Sequence, residues 1–265
     1  MDLQLTGKRA LVTGGSRGIG AAVAHVLADE GVALALFARE PGRLSARAAE
    51  LSERGATVVT RAVDTADAAA VRAAVEEVAS ELGGLDILVN AAAVPAGPAQ
   101  AVPLALLDDD DLRQQIETKV LGYLHTARAV APMMIDQGWG RIINISGLAA
   151  RQTGSIFGSI RNVAVAAMTK NLADELGPSG INVTVVHPAL TVTERTFGLL
   201  RAVAQSEGIG VDQAAERFAA QVSIGRLVTA AEVADVVAFL ASPRSVAING
   251  DAIAVGGGAV GSIHY

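Results

Sequence analysis

The glycines at positions 14, 15, 18 and 20 are spaced to hold an anion. They lie in Leu11-Val-Thr-Gly-Gly-Ser-Arg-Gly-Ile-Gly20, directly after the apolar run Ala10-Leu11-Val12. An alanine-rich stretch of helical period, Ala21 to Ala28, follows at once. That order predicts strand, tight turn, helix. Gly14 permits the turn because it has no Cβ to clash at positive φ. Gly18 lets a phosphate or a backbone come close, and Gly20 lets the helix pack tightly on the strand. Ser16, Arg17 and Ile19 complete the loop. Free N–H groups at the helix start, aided by the helix dipole, would face the anion. The expected guest is the pyrophosphate of a dinucleotide. The alternative is a glycine-rich turn that holds nothing, and the strand before and helix after argue against it.

The end of the second strand decides which dinucleotide binds. An acid there binds the ribose 2′-OH and repels a 2′-phosphate. This chain has Phe37-Ala38-Arg39, with no acid at Ala38. Arg39 and Arg17 can converge on a 2′-phosphate, which arginine suits geometrically. NADP(H) is therefore expected over NAD(H). The competing readings are that either arginine is a solvated charge, or that Glu40 pairs with one of them.

These residues need a frame, and the chain supplies one. Strand-like pieces at Val32 to Ala38, Thr57 to Val63, Leu85 to Val89, Arg141 to Ile145, Ile181 to Val186 and Asp251 to Val255 are short and apolar. Helix-like pieces at Pro41 to Arg54, Asp67 to Leu82, Asp111 to Met134, Ser155 to Leu176 and Thr229 to Leu240 alternate with them. Ala91 to Pro103, rich in alanine and proline, reads as loop. The alternation predicts one α/β domain, a doubly wound parallel sheet of the Rossmann type with right-handed crossovers. Its ligands bind beyond the carboxyl ends of the strands. Thr191 to Ile224 interrupts the alternation with helix-like pieces, a natural lid over a substrate or else a decorated loop.

Bulk composition excludes several classes. The chain has 265 residues, enough for one domain with a large core. Hydrophobic residues make up 51% and charged residues 18%, which argues against disorder. No run approaches the ~20 apolar residues of a membrane helix. The net charge of −6 and the lack of a basic cluster interleaved with aromatics speak against nucleic acid. There is no cysteine, and the four histidines are scattered, so neither thiol chemistry nor a metal site is expected. The N-terminus shows no secretion signal, which points to the cytoplasm.

Thr13-Gly14-Gly15-Ser16-Arg17-Gly18-Ile19-Gly20 resembles the cofactor loop of the short-chain dehydrogenases/reductases, and the resemblance runs from Lys8 to Gly258. It implies an adenine contact at Val63-Asp64. It places Asn90-Ala91-Ala92-Ala93 where the family has Asn-Asn-Ala-Gly. Asn90 then serves the cofactor region or simply stabilises the sheet. His187-Pro188-Ala189-Leu190-Thr191 resembles the turn against the nicotinamide, with Ala189 in place of a glycine. Pro188 and Thr191 would lie against that ring.

The same resemblance implies a catalytic Tyr and a Lys four residues later. Aligned back from Met168-Thr169-Lys170-Asn171-Leu172-Ala173, these positions fall on Gly158 and Asn162. The family's helix asparagine falls on Lys119, and its serine on Ser146 or Gly147. The chain's two tyrosines, Tyr123 and Tyr265, do not supply the pair in place. Asn162 can bond a ribose hydroxyl but carries no charge. Gly158 would leave a void where the phenol ring sits. Replacement groups are Lys119, which can donate a proton unless it is a solvated helix lysine, and Ser146, which can orient substrate or merely form a turn. His187 can relay a proton or sit neutral on the backbone. Arg151 or Arg161 can bind an anionic substrate or make a surface or subunit contact.

Three readings are open. The first is an NADP(H)-linked oxidoreductase acting on a small carbonyl or alcohol with an atypical site. The second is a nucleotide-binding sensor or an inactive subunit. The third is dehydration or cyclisation in a pocket made by Gly158. Resemblance also implies a homo-oligomer, a tetramer, built on the helices Asp111–Met134 and Ser155–Leu176 and on the tail from Val255 to Tyr265.

Overall fold

Strand β1 (Arg9–Thr13) is buried from Ala10 onward and lies near the middle of a seven-stranded parallel sheet. The structure, a computed structural model, describes residues 1–94 and 102–260. Beside β1 are β2 (Ala33–Ala38), β3 (Val58–Ala62), β4 (Ile87–Asn90), β5 (Gly140–Ile145) and β6 (Ile181–Pro188). The sheet order is β3-β2-β1-β4-β5-β6, closed at its edge by the C-terminal strand Ala252–Val255. Because both faces are covered, β5 and β6 are buried at every residue, their few polar side chains, such as Arg141, Asn144, Thr184 and His187, included.

Two layers of helix cover the sheet. The helices α1 (Gly18–Asp29) and α2 (Pro41–Glu53) pack on one face through Val23, Leu27, Leu44 and Leu51. The other face carries α3 (Ala68–Leu82), which packs through Val71, Val75 and Val78. Asp67 caps α3 by accepting from Ala69 N and Ala70 N, both at 3.0 Å, and Gly83 ends it at φ +78°. The order of strands reverses between β1 and β4, so the loops at their carboxyl ends part there and open a crevice.

The single helix expected from Asp111 to Met134 is three consecutive windings. They are α4 (Asp109–Gln115), a wide π-helical turn (Ile116–Leu121) and α5 (Gly122–Asp136). Burial recurs about every four residues, at Thr118, Lys119, Gly122, Tyr123, Thr126, Ala127, Val130 and Met134. That spacing exceeds the α-helical 3.6, and one wide turn absorbs the difference. Helix α6 (Ile156–Leu176) starts at Ser155, whose Oγ accepts from Gly158 N at 3.0 Å.

The interruption after β6 contains β7 (Thr191–Val192), α7 (Glu194–Glu207) and α8 (Val211–Ala219). Leu200, Ala204 and Ala214 give it a small core of its own. It returns through β8 (Val228–Thr229), which pairs with β7, to α9 (Ala230–Ala241), packed beside α1. The last strand, Ala252–Val255, is β9. Much of the loop from Ala91 to Pro103 and the tail after Val260 lie outside the described residues. Among the described residues no helix is long and apolar enough to cross a membrane, and no His, Asp and Glu group is arranged for a metal.

Candidate active site

The crevice at the β1/β4 switch point is a cavity of about 1070 Å³. At one end lie the glycine loop, Arg39 and Asp64. At the other lie Lys119, Ser146, Arg161 and Asn162, with Pro188 and Thr191 alongside. Thr193, Glu194, Leu199 and Phe218 from the helical interruption form part of its wall.

The glycine loop has the shape its sequence requires. Gly14 has φ +68°, and a Cβ there would meet the Ala91–Ala92 backbone at 2.9 Å. Thr13 Oγ1 holds that backbone in place by accepting from Ala91 N at 3.1 Å and Ala92 N at 3.2 Å. A Cβ at Gly20 would lie 2.4 Å from Gly14 O, so α1 packs on the turn as only glycine permits. Gly14, Ser16, Arg17, Gly18, Ile19 and Gly20 all line the cavity. The start of α1 presents Gly18 N, which donates to Glu194 Oε2 at 3.2 Å. A carboxylate from α7 thus sits where the helix dipole favours negative charge.

Arg17 and Arg39 are both exposed at this end. Glu40 pairs with Arg43 at 2.7 Å, not with either of them. Asp64 lines the cavity and accepts from Ala66 N at 3.1 Å. An open glycine cradle, exposed guanidiniums at Arg17 and Arg39 and a cavity of this size fit a dinucleotide.

The far end is built around Lys119, which the π-helical turn carries into the cavity wall. Its Nζ donates to Ser146 O at 2.9 Å and to Asn162 Oδ1 at 3.1 Å. Both acceptors are neutral, and Lys119 is only 4% exposed. Burial, and then the positive charge of Arg161, push the Lys119 ammonium down from 10.5 to about 7. Ser146 Oγ donates to Asn162 O at 3.1 Å, tying β5 to α6. Tyr123 donates to Ile145 O at 2.9 Å, and burial pushes its phenol well above the usual range. It is held as a neutral donor to the backbone.

Not every predicted residue reaches the cavity. Asn90 is fully buried: Nδ2 donates to Asn144 Oδ1 at 3.0 Å, and Oδ1 accepts from Thr126 Oγ1 at 2.7 Å. It joins β4 to β5 and α5 and does not line the cavity, so the sheet-stabilising reading holds for its side chain. His187 is also buried off the lining, and its Nδ1 accepts from Gly147 N at 3.4 Å. Arg151 donates to Ala252 O at 2.9 Å instead of facing a substrate. Gly158 opens no void into the cavity. A Cβ there would meet Ser155 Oγ at 2.8 Å, and Ala149 packs in front. The expected pocket made by Gly158 is therefore not part of the cavity, and the helix cap Ser155 stands against the position of its missing Cβ.

Other contributors carry no sequence signal. Gln115 accepts from Arg161 Nη1 at 2.7 Å across a distance of 46 residues. Glu194 reaches the glycine loop from 176 residues away. Arg195 brings a positive charge that Arg161 feels. None of these contacts follows a periodicity or a motif.

The short chain dehydrogenase profile matches residues 8–201. The chain is 34% identical over 250 residues to the short-chain reductase protein NovJ of Streptomyces niveus, covering 94% of this chain and 92% of that one. It is 33% identical over 263 residues to the (2S)-[(R)-hydroxy(phenyl)methyl]succinyl-CoA dehydrogenase subunit BbsC of Thauera aromatica, covering 97% and 96%. L-sorbose reductase from Gluconobacter frateurii, solved with NADPH and L-sorbose, superposes with a TM-score of 0.91 at 30% identity, covering 99% and 100%. With its sheet order, glycine loop and full-length similarity, the chain belongs to the short-chain dehydrogenases.

Proposed function

We propose that the protein is an NADP(H)-dependent oxidoreductase that interconverts a small carbonyl compound and its alcohol, with Lys119 as the proton-transfer group. One observation carries this reading: a buried ammonium lines the cavity, bonded among the described residues to neutral oxygens. Its pKa of about 7 suits it to give a proton near neutral pH and to take one back. The family resemblance implies that Gly158 and Asn162 stand at the family's Tyr and Lys positions. Lys119 reaches Asn162 from the neighbouring helix, so it brings an ammonium beside the position where α6 has none.

The glycine loop and the start of α1 would hold the pyrophosphate, and Arg17 and Arg39 the 2′-phosphate. Asp64 would accept from the adenine amine, and Asn162, Pro188 and Thr191 would border the nicotinamide ribose and ring. When bound, the dinucleotide supplies or accepts a hydride. In reduction, Lys119 delivers the proton to the carbonyl oxygen while Ser146 borders the same space. His187 lies off the cavity lining, so the role of proton source falls to Lys119. The helices α7 and α8 would act as the lid, shedding water from the reacting centre.

The test is a scan of ketones and alcohols that follows nicotinamide absorbance, run on the parent protein and on Lys119→Met. Turnover in the parent and its loss in the variant, with NADPH binding intact, supports the reading. Undiminished turnover in Lys119→Met removes the lysine from the mechanism.

A second reading is favoured by Gly158 and Asn162 themselves. A chain without a phenol on α6 can serve as a nucleotide-binding subunit beside an active one, and one relative is named as a dehydrogenase subunit. Dinucleotide binding without turnover on any substrate selects it. In either case we propose a cytoplasmic homo-oligomer of four chains in the isolated protein, assembled through the exposed apolar side chains Ile160 and Val163 of α6. Light scattering that returns a monomer mass at micromolar concentration rules out that assembly. The tail from 261 to 265, expected to share in it, lies outside the described residues.

A further inference from the structure

Arg161 is a buried cation at the far end of the cavity, and beyond lowering the pKa of Lys119 the reductase reading gives it no contact with the substrate. It is 8% exposed and lines the cavity. Its Nη1 donates to Gln115 Oε1 at 2.7 Å, while its buried Nε has no hydrogen-bond partner among the described residues. Among the same residues no carboxylate pairs with it. The carboxylates that line the cavity lie elsewhere: Glu40 on Arg43, Asp64 on its own turn, and Glu194 on Gly18 N. Of the titratable groups facing Arg161, Tyr123 is held neutral by its burial, and the charged ones share the sign of Arg161. Lys119 comes from the π-helical turn and Arg195 from α7, and both line the same cavity.

A buried guanidinium without a counter-ion is strongly unfavourable, and two further cations beside it make it more so. Nature retains such an arrangement where an anion completes it. Using Nη1 for Gln115 leaves the Nε–Nη2 edge, the side of the fork that takes a carboxylate through two parallel bonds. Lys119 supplies the proton for a carbonyl on the same cavity wall.

We propose that Arg161 binds a carboxylate of the substrate, so that the substrate class is a short-chain oxo acid and its hydroxy acid. This deepens the reductase reading by naming the substrate class. The site itself requires only binding, and it is tested by binding.

Calorimetric titration of the protein, alone and with NADP⁺ added, would use two matched pairs of probes. The first is acetoacetate against its methyl ester, and the second is dihydroxyacetone phosphate against dihydroxyacetone. Acetoacetate is expected to bind about tenfold or more tightly than the ester, the scale of a charge-assisted hydrogen-bonded pair. Arg161→Gln, which keeps length and polarity, is expected to reduce that preference to about twofold or less while leaving NADP⁺ affinity unchanged. Arg161→Lys keeps the charge but loses the fork, and is expected to fall between them. An ester that binds as tightly as the acid overturns the proposal, as does no binding of acetoacetate at all. So does a preference that survives Arg161→Gln, or a phosphorylated ketone that binds more tightly than acetoacetate. Acid-selective binding without turnover of any oxo acid keeps the site and sinks the reductase reading instead.

Discussion

Lys119 and Asn162 are joined by a 3.1 Å hydrogen bond that crosses from the π-helical turn to α6. The ammonium and the amide therefore act as a unit. Asn162 Oδ1 and Ser146 O hold Nζ in place, and burial with Arg161 lowers its pKa.

The first consequence is a pH profile. The rate of carbonyl reduction is expected to fall as pH rises through about 7, where Lys119 loses its proton. Alcohol oxidation, which needs the neutral amine, is expected to rise over the same range. Rates at saturating substrate in both directions check this, and parallel profiles would contradict it.

The same shift has a stability signature. The pKa of Lys119 is lower in the folded chain than in the unfolded one, so the unfolded chain binds more protons between about 7 and 10.5. Stability contributed by this group therefore increases with pH across that window. Lys119→Met is expected to flatten the dependence and to raise stability at pH 7, by up to a few kcal/mol. Urea unfolding at several pH values, with parent and variant side by side, measures it.

Glu194 competes with the cofactor. Its carboxylate accepts from Gly18 N at 3.2 Å, at the positive end of α1, where the pyrophosphate would lie. It must move aside, and like charges oppose its staying. Glu194→Gln is expected to tighten dinucleotide binding about threefold to tenfold, from a helix-end charge effect of about 1 kcal/mol. Fluorescence titration with NADPH would show it, and weaker binding would give Glu194 a supporting role instead.

In the proposed NADP(H) reading, Arg39 and Arg17 would set the choice of dinucleotide. Glu40 is held by Arg43, so it does not neutralise them. NADPH is expected to bind about tenfold or more tightly than NADH, and Arg39→Ala to remove most of that difference. Equal affinities in the parent protein would falsify the assignment.

The frame is readable in the sequence because its rules are local. A buried parallel strand such as β2 is an unbroken apolar run, and Gly14 and Gly20 are required by contacts with residues close in sequence or by backbone angle. The reaction end is only partly readable. Lys119, Ser146 and Asn162 stand out as candidates, but their mutual bonds depend on a winding of the helix that no periodicity announces. One extra residue in a π-helical turn rotates the rest of the helix by about 100°. By its sequence position Arg161 suits a surface as well as a site, and only the fold shows it buried beside Gln115 and Lys119. Gly158 does not line the cavity, and Ser155, which caps α6, stands against the position of its missing Cβ.

That cap bears on whether the pair that the family resemblance implies for positions 158 and 162 can be installed there. In Gly158→Tyr with Asn162→Lys, the new Cβ at 158 would lie 2.8 Å from Ser155 Oγ and 3.1 Å from Ser155 Cβ. Ser155 must turn away, and its bond to Gly158 N is lost, at a cost of about 1 kcal/mol for a helix cap. The new lysine replaces Asn162 Oδ1, which now accepts from Lys119 Nζ. Two ammonium groups then meet in a buried space that already holds Arg161, and each opposes ionisation of the other. The double variant is therefore expected to melt lower than the parent and to show no gain in turnover on small ketones. Adding Lys119→Asn removes one of the two charges and is expected to recover part of the lost stability. If the double variant alone turns over briskly, the frame around these positions has not diverged with them. Lys119 is then a bystander, and the proton path must be redrawn through the new phenol.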